Sequence, residues 1–422
     1  MKQHGDSVKV RPSSYAWLVV GMLSVVGCLN YLDRMMIATM RSSILSEIHM
    51  TEAQFGLLTS AFLWVYGFLS PIAGFIADKY SKSRIIVISL LVWSAITFLT
   101  AFATSFEYLL VTRALMGISE AFYIPTALAL IMEYHQGPTR SFANSVHIVG
   151  ITLGQCLGFI GGWLAEDYSW NFAFKALGAV GIVYAVFLIF SLKDNKQTSM
   201  RIENNKKNID KPGFFSVAYS LLKSKNYLKV LFTWIVLGMV GWVISGWLPT
   251  FYKENFNLTQ TMAGVYATGY FYIASIAGVL LGGYIADRLS KRNIYARIVV
   301  PMIGLCIASP AILFASYTSV LTLSVIGFML YAFTRVFSDG NMMPIICLIV
   351  NDKHRATAYG ILNFFATIIG GIGIYVGGYL RDANINLSTL FQIAGILMGF
   401  GALSLFLLQR YLNKREKISG NI

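Results

Sequence analysis

Hydrophobic residues occupy long, nearly uninterrupted stretches along the whole chain, separated by short polar segments. Twelve such stretches recur, each of roughly 18 to 25 residues, the length at which a helix crosses the hydrocarbon core of a bilayer. The pattern therefore predicts an all-α integral membrane protein with twelve spanning helices, here called spans 1 to 12. Their expected bounds are 15–38, 54–77, 84–104, 107–132, 141–165, 170–192, 228–252, 261–286, 295–316, 320–350, 356–380 and 388–411.

One long polar segment, rich in Lys and Asn, interrupts this pattern between spans 6 and 7. It divides the chain into an N-terminal six-helix bundle at 1–192, a linker at 193–227 and a C-terminal six-helix bundle at 228–422. The two halves also repeat each other, because the segment from Gly74 to Lys82 returns 209 positions later, at Gly283 to Lys291. Parallel repeats of this kind predict a substrate site between the halves, near the middle of the bilayer.

Composition and charge support a membrane protein. The chain is 56% hydrophobic and only 12% charged, which excludes an ordinary soluble protein. In a soluble chain, 33 Lys and Arg against 19 Asp and Glu would suggest nucleic-acid binding. Here 26 of the basic residues fall in the termini and in the loops on the same side, and only Arg41, Lys253 and Arg381 fall in the opposite loops. By the positive-inside rule we expect both termini and the linker to lie in the cytoplasm. We expect the protein to lie in a bacterial inner membrane. Its partner is then the lipid bilayer and not a nucleic acid.

The sequence offers no set of residues that would make an enzyme. The spans contain no nucleophile motif and no His, Cys and Asp cluster, and the four cysteines show no paired spacing. We therefore expect no catalysis, no cofactor and no metal. A non-transporting sensor usually has an added signalling domain, and the tails of this sequence are short for one. We therefore expect a transporter that functions as a monomer.

A short list of charged residues lies inside the predicted spans. Insertion of each such residue near the centre of a membrane helix costs roughly 2.5 to 3.5 kcal/mol, so we expect these residues to form ion pairs and to take part in function. They are Asp33 and Arg34 in span 1, Arg113 and Glu120 in span 4, and the pair Arg335 and Asp339, one turn apart in span 10.

The spacing of the N-terminal charges predicts how they meet. Arg113 and Glu120 are seven positions apart, close to two helical turns, so both side chains lie on one face of span 4. If spans 1 and 4 face each other, these two residues form a compact set with Asp33 and Arg34. An arginine binds a carboxylate through two hydrogen bonds, and protonation of Asp33 or Glu120 would release an arginine to take a substrate anion. The alternative is a set of permanent ion pairs that only hold the helices together.

The repeated segments resemble a signature of the major facilitator superfamily, and the resemblance covers essentially the whole chain. They read Gly74-x-x-x-Asp78-Lys79-x-Ser81-Lys82 and Gly283-x-x-x-Asp287-Arg288-x-Ser290-Lys291, with serine where glycine is usual. The resemblance implies two six-helix bundles and a charge network that gates the inner face. Asp78, Lys79, Arg84, Asp287 and Arg288 would belong to that network. Alternatively, these residues only anchor the helix ends in the lipid headgroups.

Three shorter segments resemble the organic anion and anion:cation symporter branch, which includes sugar-acid, hexuronate and sialic-acid carriers. They are Asn30-Tyr-Leu-Asp-Arg34, the Arg113 to Glu120 segment, and Trp247-Leu-Pro-Thr-Phe-Tyr252. The resemblance implies substrate contacts for Tyr31 and Arg34, and proton coupling for Asp33, Glu120 and Arg113. We also count Arg113 and, from its place in span 11, Asn363 as substrate-binding candidates, although an interhelical hydrogen bond would explain a lone asparagine equally well.

Span 5 departs from the sugar-acid carriers. It contains His147 and glycines at 150, 154, 158 and 162, and with Glu120-Ala-Phe-Tyr123 it resembles the Spinster-like branch, which carries lysolipids and sphingoid lipids. Glycines four residues apart predict close packing against a neighbouring helix. His147, a residue with an ordinary pKa of about 6.5, either takes part in proton coupling or is a hydrogen-bonded packing residue.

Together these features predict a secondary active transporter that moves a small organic anion, such as a sugar acid, hexuronate or sialic acid, with protons. A Spinster-like lysolipid carrier is the alternative. A phosphate-ester exchanger fits less well, because such anion clamps take a basic residue from each half and span 7 carries no charge between Val230 and Tyr252. Arg335 keeps that hypothesis open.

Overall fold

The computed structural model of the protein describes residues 14–135, 139–194, 214–351 and 354–419, and the regular structure in these ranges is helical. Twelve of its segments are long and apolar enough to cross a membrane, which confirms the predicted spans. The helices are α1 (Ser14–Thr39), α2 (Arg41–Glu47), α3 (Glu52–Lys79), α4 (Lys82–Thr100), α5 (Phe106–Glu120), α6 (Tyr123–Tyr134), α7 (Arg140–Cys156), α8 (Phe159–Asp167), α9 (Trp170–Ser191), α10 (Phe214–Lys223), α11 (Lys225–Asn255), α12 (Gln260–Gly264), a π-helix (Val265–Tyr270), α13 (Phe271–Ser290), α14 (Ala296–Tyr317), α15 (Leu321–Arg335), α16 (Phe337–Ile349), α17 (Arg355–Asp382) and α18 (Leu387–Ser419).

Some spans contain more than one helix. Span 4 is α5 followed by α6, span 5 is α7 and α8, span 8 runs from α12 through the π-helix to α13, and span 10 is α15 and α16. The break in span 4 falls directly after Glu120 and the break in span 10 directly after Arg335. Two of the intramembrane charges therefore lie where the regular helical hydrogen bonding is interrupted.

Several helix starts follow from the local sequence. Thr51 and Gln54 form a capping box at the start of α3, in which each side chain accepts a hydrogen bond from the other residue's backbone N–H. Ser105 and Ser169 cap α5 and α9 by accepting from the backbone N–H three residues ahead. These caps satisfy backbone donors that a helix start leaves without an intrahelical partner.

The segment assigned to the linker contains a helix that the sequence pattern did not predict. Helix α10 lies within 193–227 and packs against α11 and α17, and α11 begins at Lys225 instead of 228. Among its described side chains, those of residues 216–223, Val217 and Leu221 are buried and lie one turn apart. The rest of the predicted linker, residues 195–213, lies outside the described residues, so the domain division stays a prediction.

The two halves meet along spans 2 and 11, spans 5 and 8, and spans 1 and 7. We call the end of the molecule that holds Ser14 and Ser419 the terminal side and the opposite end the far side. Near the far side, a Cβ on Gly56 would lie 2.9 Å from the Ile374 carbonyl oxygen, so glycine is what lets spans 2 and 11 approach. Toward the terminal side, a Cβ on Gly74 would meet no atom within 4 Å.

Four charged residues hold the halves together at the far side, and we call them the far-side lock: Arg41, Glu52, Glu254 and Arg381. Arg41 pairs with Glu52 and lies 3.2 Å from Glu254, whereas Arg381 lies 2.9 Å from Glu254 and 3.3 Å from Glu52. Asp382 adds to the contact, because its carboxylate accepts from the backbone N–H groups at the start of α3. The structure is therefore closed at the far side.

Candidate functional site

A cavity of about 160 Å³ lies between the two halves. Its wall takes residues from spans 1 and 2 on one side and from spans 7, 10 and 11 on the other. They are Tyr31, Arg34, Leu63, Tyr66, Trp234, Leu237, Gly238, Trp242, Arg335, Asp339, Asn363, Ala366 and Thr367. This central cavity occupies the position that the parallel repeats predicted for a substrate site.

Arg34 is the most closely surrounded residue of the cavity wall. Its Nε donates a hydrogen bond of 2.7 Å to Glu120 Oε2. Its guanidinium carbon lies 4.6 Å from the ring centroid of Tyr31, 4.5 Å from that of Tyr66 and 4.9 Å from that of Phe62. Aromatic faces attract a cation at these distances. The rings and one carboxylate oxygen therefore fix the position of Arg34, while its Nη2 has no hydrogen-bond partner among the described residues.

Glu120 is fully buried at the end of α5. One of its oxygens holds Arg34, and the other, Oε1, has no hydrogen-bond partner in the described part of the chain. Gly117, one turn earlier, brings span 4 against span 2, because a Cβ there would lie 2.7 Å from the Phe62 carbonyl oxygen. The close approach of these two spans places Glu120 and Phe62 around the same arginine.

Asp33 and Arg113 complete the buried set but do not belong to the wall of the central cavity. Asp33, 4% exposed, accepts a hydrogen bond from the Thr97 hydroxyl and lines a cavity of about 10 Å³ between spans 1, 3 and 6. Arg113, 2% exposed, lies 5.3 Å from the ring centroid of Phe174. Both residues interact electrostatically with the Arg34 and Glu120 pair. Spans 1 and 4 thus bring the four charges together, and of the four only Arg34 reaches the central cavity.

The C-terminal half places Arg335 and Asp339 on the opposite wall. Arg335 Nη1 lies 3.5 Å from Asp339 Oδ2, and both side chains are partly exposed. Gly241 of span 7 leaves room for the arginine, because a Cβ there would lie 3.2 Å from its Nη2. Asn363, a predicted substrate contact, lines the same cavity with Thr367, one turn further along span 11.

His147 lies in a packed region away from the central cavity wall. Its Nε2 is 2.9 Å from the Tyr123 hydroxyl, which donates to the Leu23 carbonyl oxygen. The side chain is fully buried. This position agrees with the packing alternative, and proton coupling by His147 stays a prediction.

The glycines of span 5 lie against span 1, as the packing hypothesis expects. A Cβ on Gly150 would lie 2.5 Å from the Ser24 carbonyl oxygen, and a Cβ on Gly154 would overlap the Cys28 carbonyl oxygen. The same holds further along, where a Cβ on Gly158 would lie 2.7 Å from the Met35 side chain. This packing sets the position of span 1, which carries Arg34.

The predicted gating residues lie at the terminal side. Asp287 pairs with Arg297 at 3.0 Å, and Arg288 donates to the Tyr284 hydroxyl at 3.2 Å, so both contacts stay within one half. The side chain of Asp78 lies outside the described part of the structure.

Lys79 and Arg84 are exposed at the end of α3 and the start of α4. A neighbouring pair that the sequence did not single out, Lys82 and Glu133, is 2.8 Å apart and joins spans 3 and 4. The gating role of this surface stays a prediction.

Several wall residues were not among the predicted site residues. Trp234, Leu237, Gly238 and Trp242 lie at positions i, i+3, i+4 and i+8, so they share one face of span 7. This period was visible in the sequence, but a span that is apolar all round does not show which face meets the cavity.

Known proteins are similar to this chain in sequence or in fold. A probable sulfoacetate transporter of Cupriavidus necator is 28% identical over 406 residues, which cover 92% of this chain and 93% of that protein. A hexuronate transporter of Bacillus subtilis is 24% identical over 394 residues, which also cover 92% of this chain and 93% of that protein. A crystal structure of a bacterial homolog to the human lysosomal transporter Spinster, inward-facing and unoccupied, has the same fold, with a TM-score of 0.77, 20% identity and coverage of 95% of this chain and 98% of that one.

The family assignment rests on the sequence profile of the Major Facilitator Superfamily, which matches residues 23–338, well over half of the chain. The twelve spans and the cavity between two halves agree with it. The chain belongs to the Major Facilitator Superfamily.

Proposed function

We propose that the protein is a secondary active transporter that moves a small organic anion together with protons by alternating access. The main support for this proposal is the position of Arg34 and its ion pair with Glu120. A permanently charged guanidinium lies at the wall of a cavity between the halves, and the group that holds it is a carboxylate, which a proton can neutralise.

Charge balance provides the coupling. Asp33, Arg34, Arg113 and Glu120 together carry two positive and two negative charges, so the buried set is neutral when both acids are ionised. An added anion would leave one uncompensated negative charge in a region where charges are costly. A proton on Glu120 removes that excess and weakens its hold on Arg34, so the anion and the proton bind together.

The relatives support an anionic substrate. Two proteins that match more than nine-tenths of this chain are named for the transport of sulfoacetate, which carries a sulfonate and a carboxylate, and of hexuronate, which carries one carboxylate. Arginine binds carboxylate and sulfonate oxygens through two parallel hydrogen bonds. A sugar acid, hexuronate or sialic acid therefore fits the proposed site.

The charge distribution sets the proposed orientation. Basic residues are concentrated in the termini and in the loops on the terminal side, so that side is cytoplasmic by the positive-inside rule. We place the protein as a monomer in a bacterial inner membrane. Because the far side is closed, the central cavity of this conformation would open to the cytoplasm.

Uptake into proteoliposomes tests the proposal. Purified protein should accumulate labelled glucuronate or sulfoacetate when an inward proton gradient is imposed. Arg34→Ala should abolish accumulation, because the anion then loses the arginine whose release is proposed to depend on the proton. Arg34→Lys should retain only part of it, because a lysine ammonium cannot form the two parallel hydrogen bonds. Arg410→Ala, which removes an exposed arginine of span 12, is the matched control and should accumulate as the parent protein does.

The same assay separates the alternatives. Uptake that does not depend on the proton gradient would show that transport is not coupled to protons. Uptake that persists in Arg34→Ala would show that Arg34 is not the binding site. If the protein transports lysolipids and none of the anions, the Spinster-like alternative is correct.

A further inference from the structure

The central cavity has an arginine on each of its two walls. Arg34 comes from span 1 in the N-terminal half and Arg335 from span 10 in the C-terminal half, and both line the same space of about 160 Å³. The proposed function uses only the first of them. The second needs its own explanation, because a charge within a membrane span is costly when it has no use.

Arg335 is less firmly paired than Arg34. Its contact with Asp339 is 3.5 Å long, whereas the contact of Arg34 with Glu120 is 2.7 Å. Charge-assisted hydrogen bonds between nitrogen and oxygen are normally about 2.7 to 2.9 Å long, so the Arg335 contact is loose. The side chain of Arg335 is 23% exposed against 3% for Arg34, and its Nε has no hydrogen-bond partner among the described residues. Arg335 therefore keeps most of its capacity to bind an anion.

The residues around Arg335 leave its guanidinium accessible to a ligand in the cavity. Gly241 lies against its guanidinium and offers no side chain to pair with it. Asn363 and Thr367, polar but uncharged, are on the same cavity wall and can bind the neutral part of a substrate. Asp339 is the acidic residue of that wall, and its side chain is 37% exposed.

A substrate with one carboxylate carries a single negative charge, which cannot neutralise both arginines. A substrate with two negative groups, separated by a short chain, can bind Arg34 with one group and Arg335 with the other. Since the arginines belong to different halves, such a ligand would also link the halves across the cavity. Alternating access requires the halves to move about the bound substrate, so this link would connect binding to the movement.

We propose that the substrate is a small dianion with two separate acidic groups, a dicarboxylate or a carboxylate with a sulfonate. One acidic group binds Arg34 and the second binds Arg335, which exchanges its loose contact with Asp339 for the ligand. This inference rests on the proposed transport of organic anions and narrows its substrate class.

Matched ligand pairs test this proposal. Sulfoacetate and isethionate differ by the replacement of a carboxylate with a hydroxymethyl group, and glucarate and gluconate differ in the same way. Binding of each to the purified protein in detergent is measured by titration calorimetry. The dianion of each pair should bind about tenfold more tightly or better, since it makes a second charge-assisted contact.

The double variant Arg335→Gln with Asp339→Asn removes both charges of the second site and leaves no unpaired acid. Its ratio of dianion to monoanion affinity should fall close to one. Arg335→Lys should keep part of the preference. Arg410→Gln, on the exposed face of span 12, is the control and should keep all of it.

The outcomes distinguish the two proposals. If the parent protein binds monoanions and dianions equally and the double variant does the same, the dianion proposal is wrong and anion transport stands. If a phosphate monoester binds more tightly than every two-group anion, the second site serves a single doubly charged group, and the dianion proposal is again wrong. If the protein neither binds nor transports any organic anion, both proposals fail.

Discussion

At the scale of single residues, Glu120 decides what Arg34 can do. Its carboxylate is fully buried, holds the arginine through one oxygen at 2.7 Å and has a second oxygen without a hydrogen-bond partner among the described residues. A buried ion pair that loses one charge leaves the other uncompensated. In the proposed mechanism, protonation of Glu120 makes Arg34 a stronger site for a substrate anion.

Glu120→Gln should separate binding from proton coupling. Glutamine has the same shape as a protonated glutamate, so Arg34 stays free for substrate at any pH. We expect exchange of labelled for unlabelled substrate to persist and accumulation driven by a proton gradient to fall to background. Solute counterflow and gradient-driven uptake in the same proteoliposomes measure the two activities.

Glu107→Gln is the matched control for this variant. Glu107 lies in the first turn of α5, on the same span, and is exposed. It should leave both activities unchanged. Accumulation by Glu120→Gln at the level of the parent protein would contradict the assignment of the coupling proton to Glu120.

At the scale of elements, the packing of span 5 against span 1 positions the charged set. Gly150 and Gly154 lie directly against the span 1 backbone at Ser24 and Cys28. In a membrane, helices associate through such close contacts because lipid chains are as apolar as the side chains they would displace. The four-residue glycine spacing was therefore a correct guide to a helix contact.

Gly154→Ala should destabilise the protein, because the new methyl group would overlap the Cys28 carbonyl oxygen. Overpacking of this kind costs about 1 to 3 kcal/mol. Gly21→Ala is the control on span 1, since a Cβ there meets no atom within 4 Å, and it should not lower stability. Tryptophan fluorescence during heating measures both, and equal melting temperatures for the two variants would show that spans 1 and 5 are not in such close contact.

At the scale of the whole molecule, the far-side lock keeps one face closed. Two of its pairs, between Arg41 and Glu254 and between Arg381 and Glu52, cross from one half to the other. The proposed alternating access requires this face to open, so in that mechanism these pairs break during transport. The lock residues are partly exposed, and exposed ion pairs contribute only about 0.2 to 1 kcal/mol each, which suits a contact that forms and breaks.

Glu254→Gln should increase the population that is open at the far side. The substitution weakens the contacts of Glu254 with both Arg41 and Arg381, so we expect about a two- to fivefold increase. Pulsed electron resonance between spin labels at Ser46 and Asn386, in a variant without other cysteines, would show a larger fraction of long distances.

Glu47→Gln is the control for the lock, because Glu47 is exposed on α2 and is not a lock residue. It should leave the distance distribution unchanged. High salt should reduce the difference between the parent protein and Glu254→Gln, since it screens partly exposed charges. Identical distance distributions for the two at low salt would mean that the lock does not hold the closed state.

The sequence by itself determined the features that depend on short stretches of chain. Hydropathy over about 20 residues is a local property, so all twelve spans could be predicted, as could the charges inside them. The separation of seven positions between Arg113 and Glu120 also predicted that both lie on one face of span 4, and the structure shows that both residues interact with the charges of span 1. Helix α10 was missed because its buried face is a single turn, Val217 and Leu221, in a segment of polar composition.

Only the tertiary structure decided which of these residues share a space. Arg34 and Arg335 are some 300 positions apart in the sequence, and nothing local to either shows that they line one cavity. The same is true of the far-side lock, because its four residues lie at the first or last turns of helices from different parts of the chain and meet where the halves are in contact. Hydropathy identifies each helix separately, whereas a binding site and a gate depend on how helices are rotated and packed, which is set by contacts between residues distant in sequence.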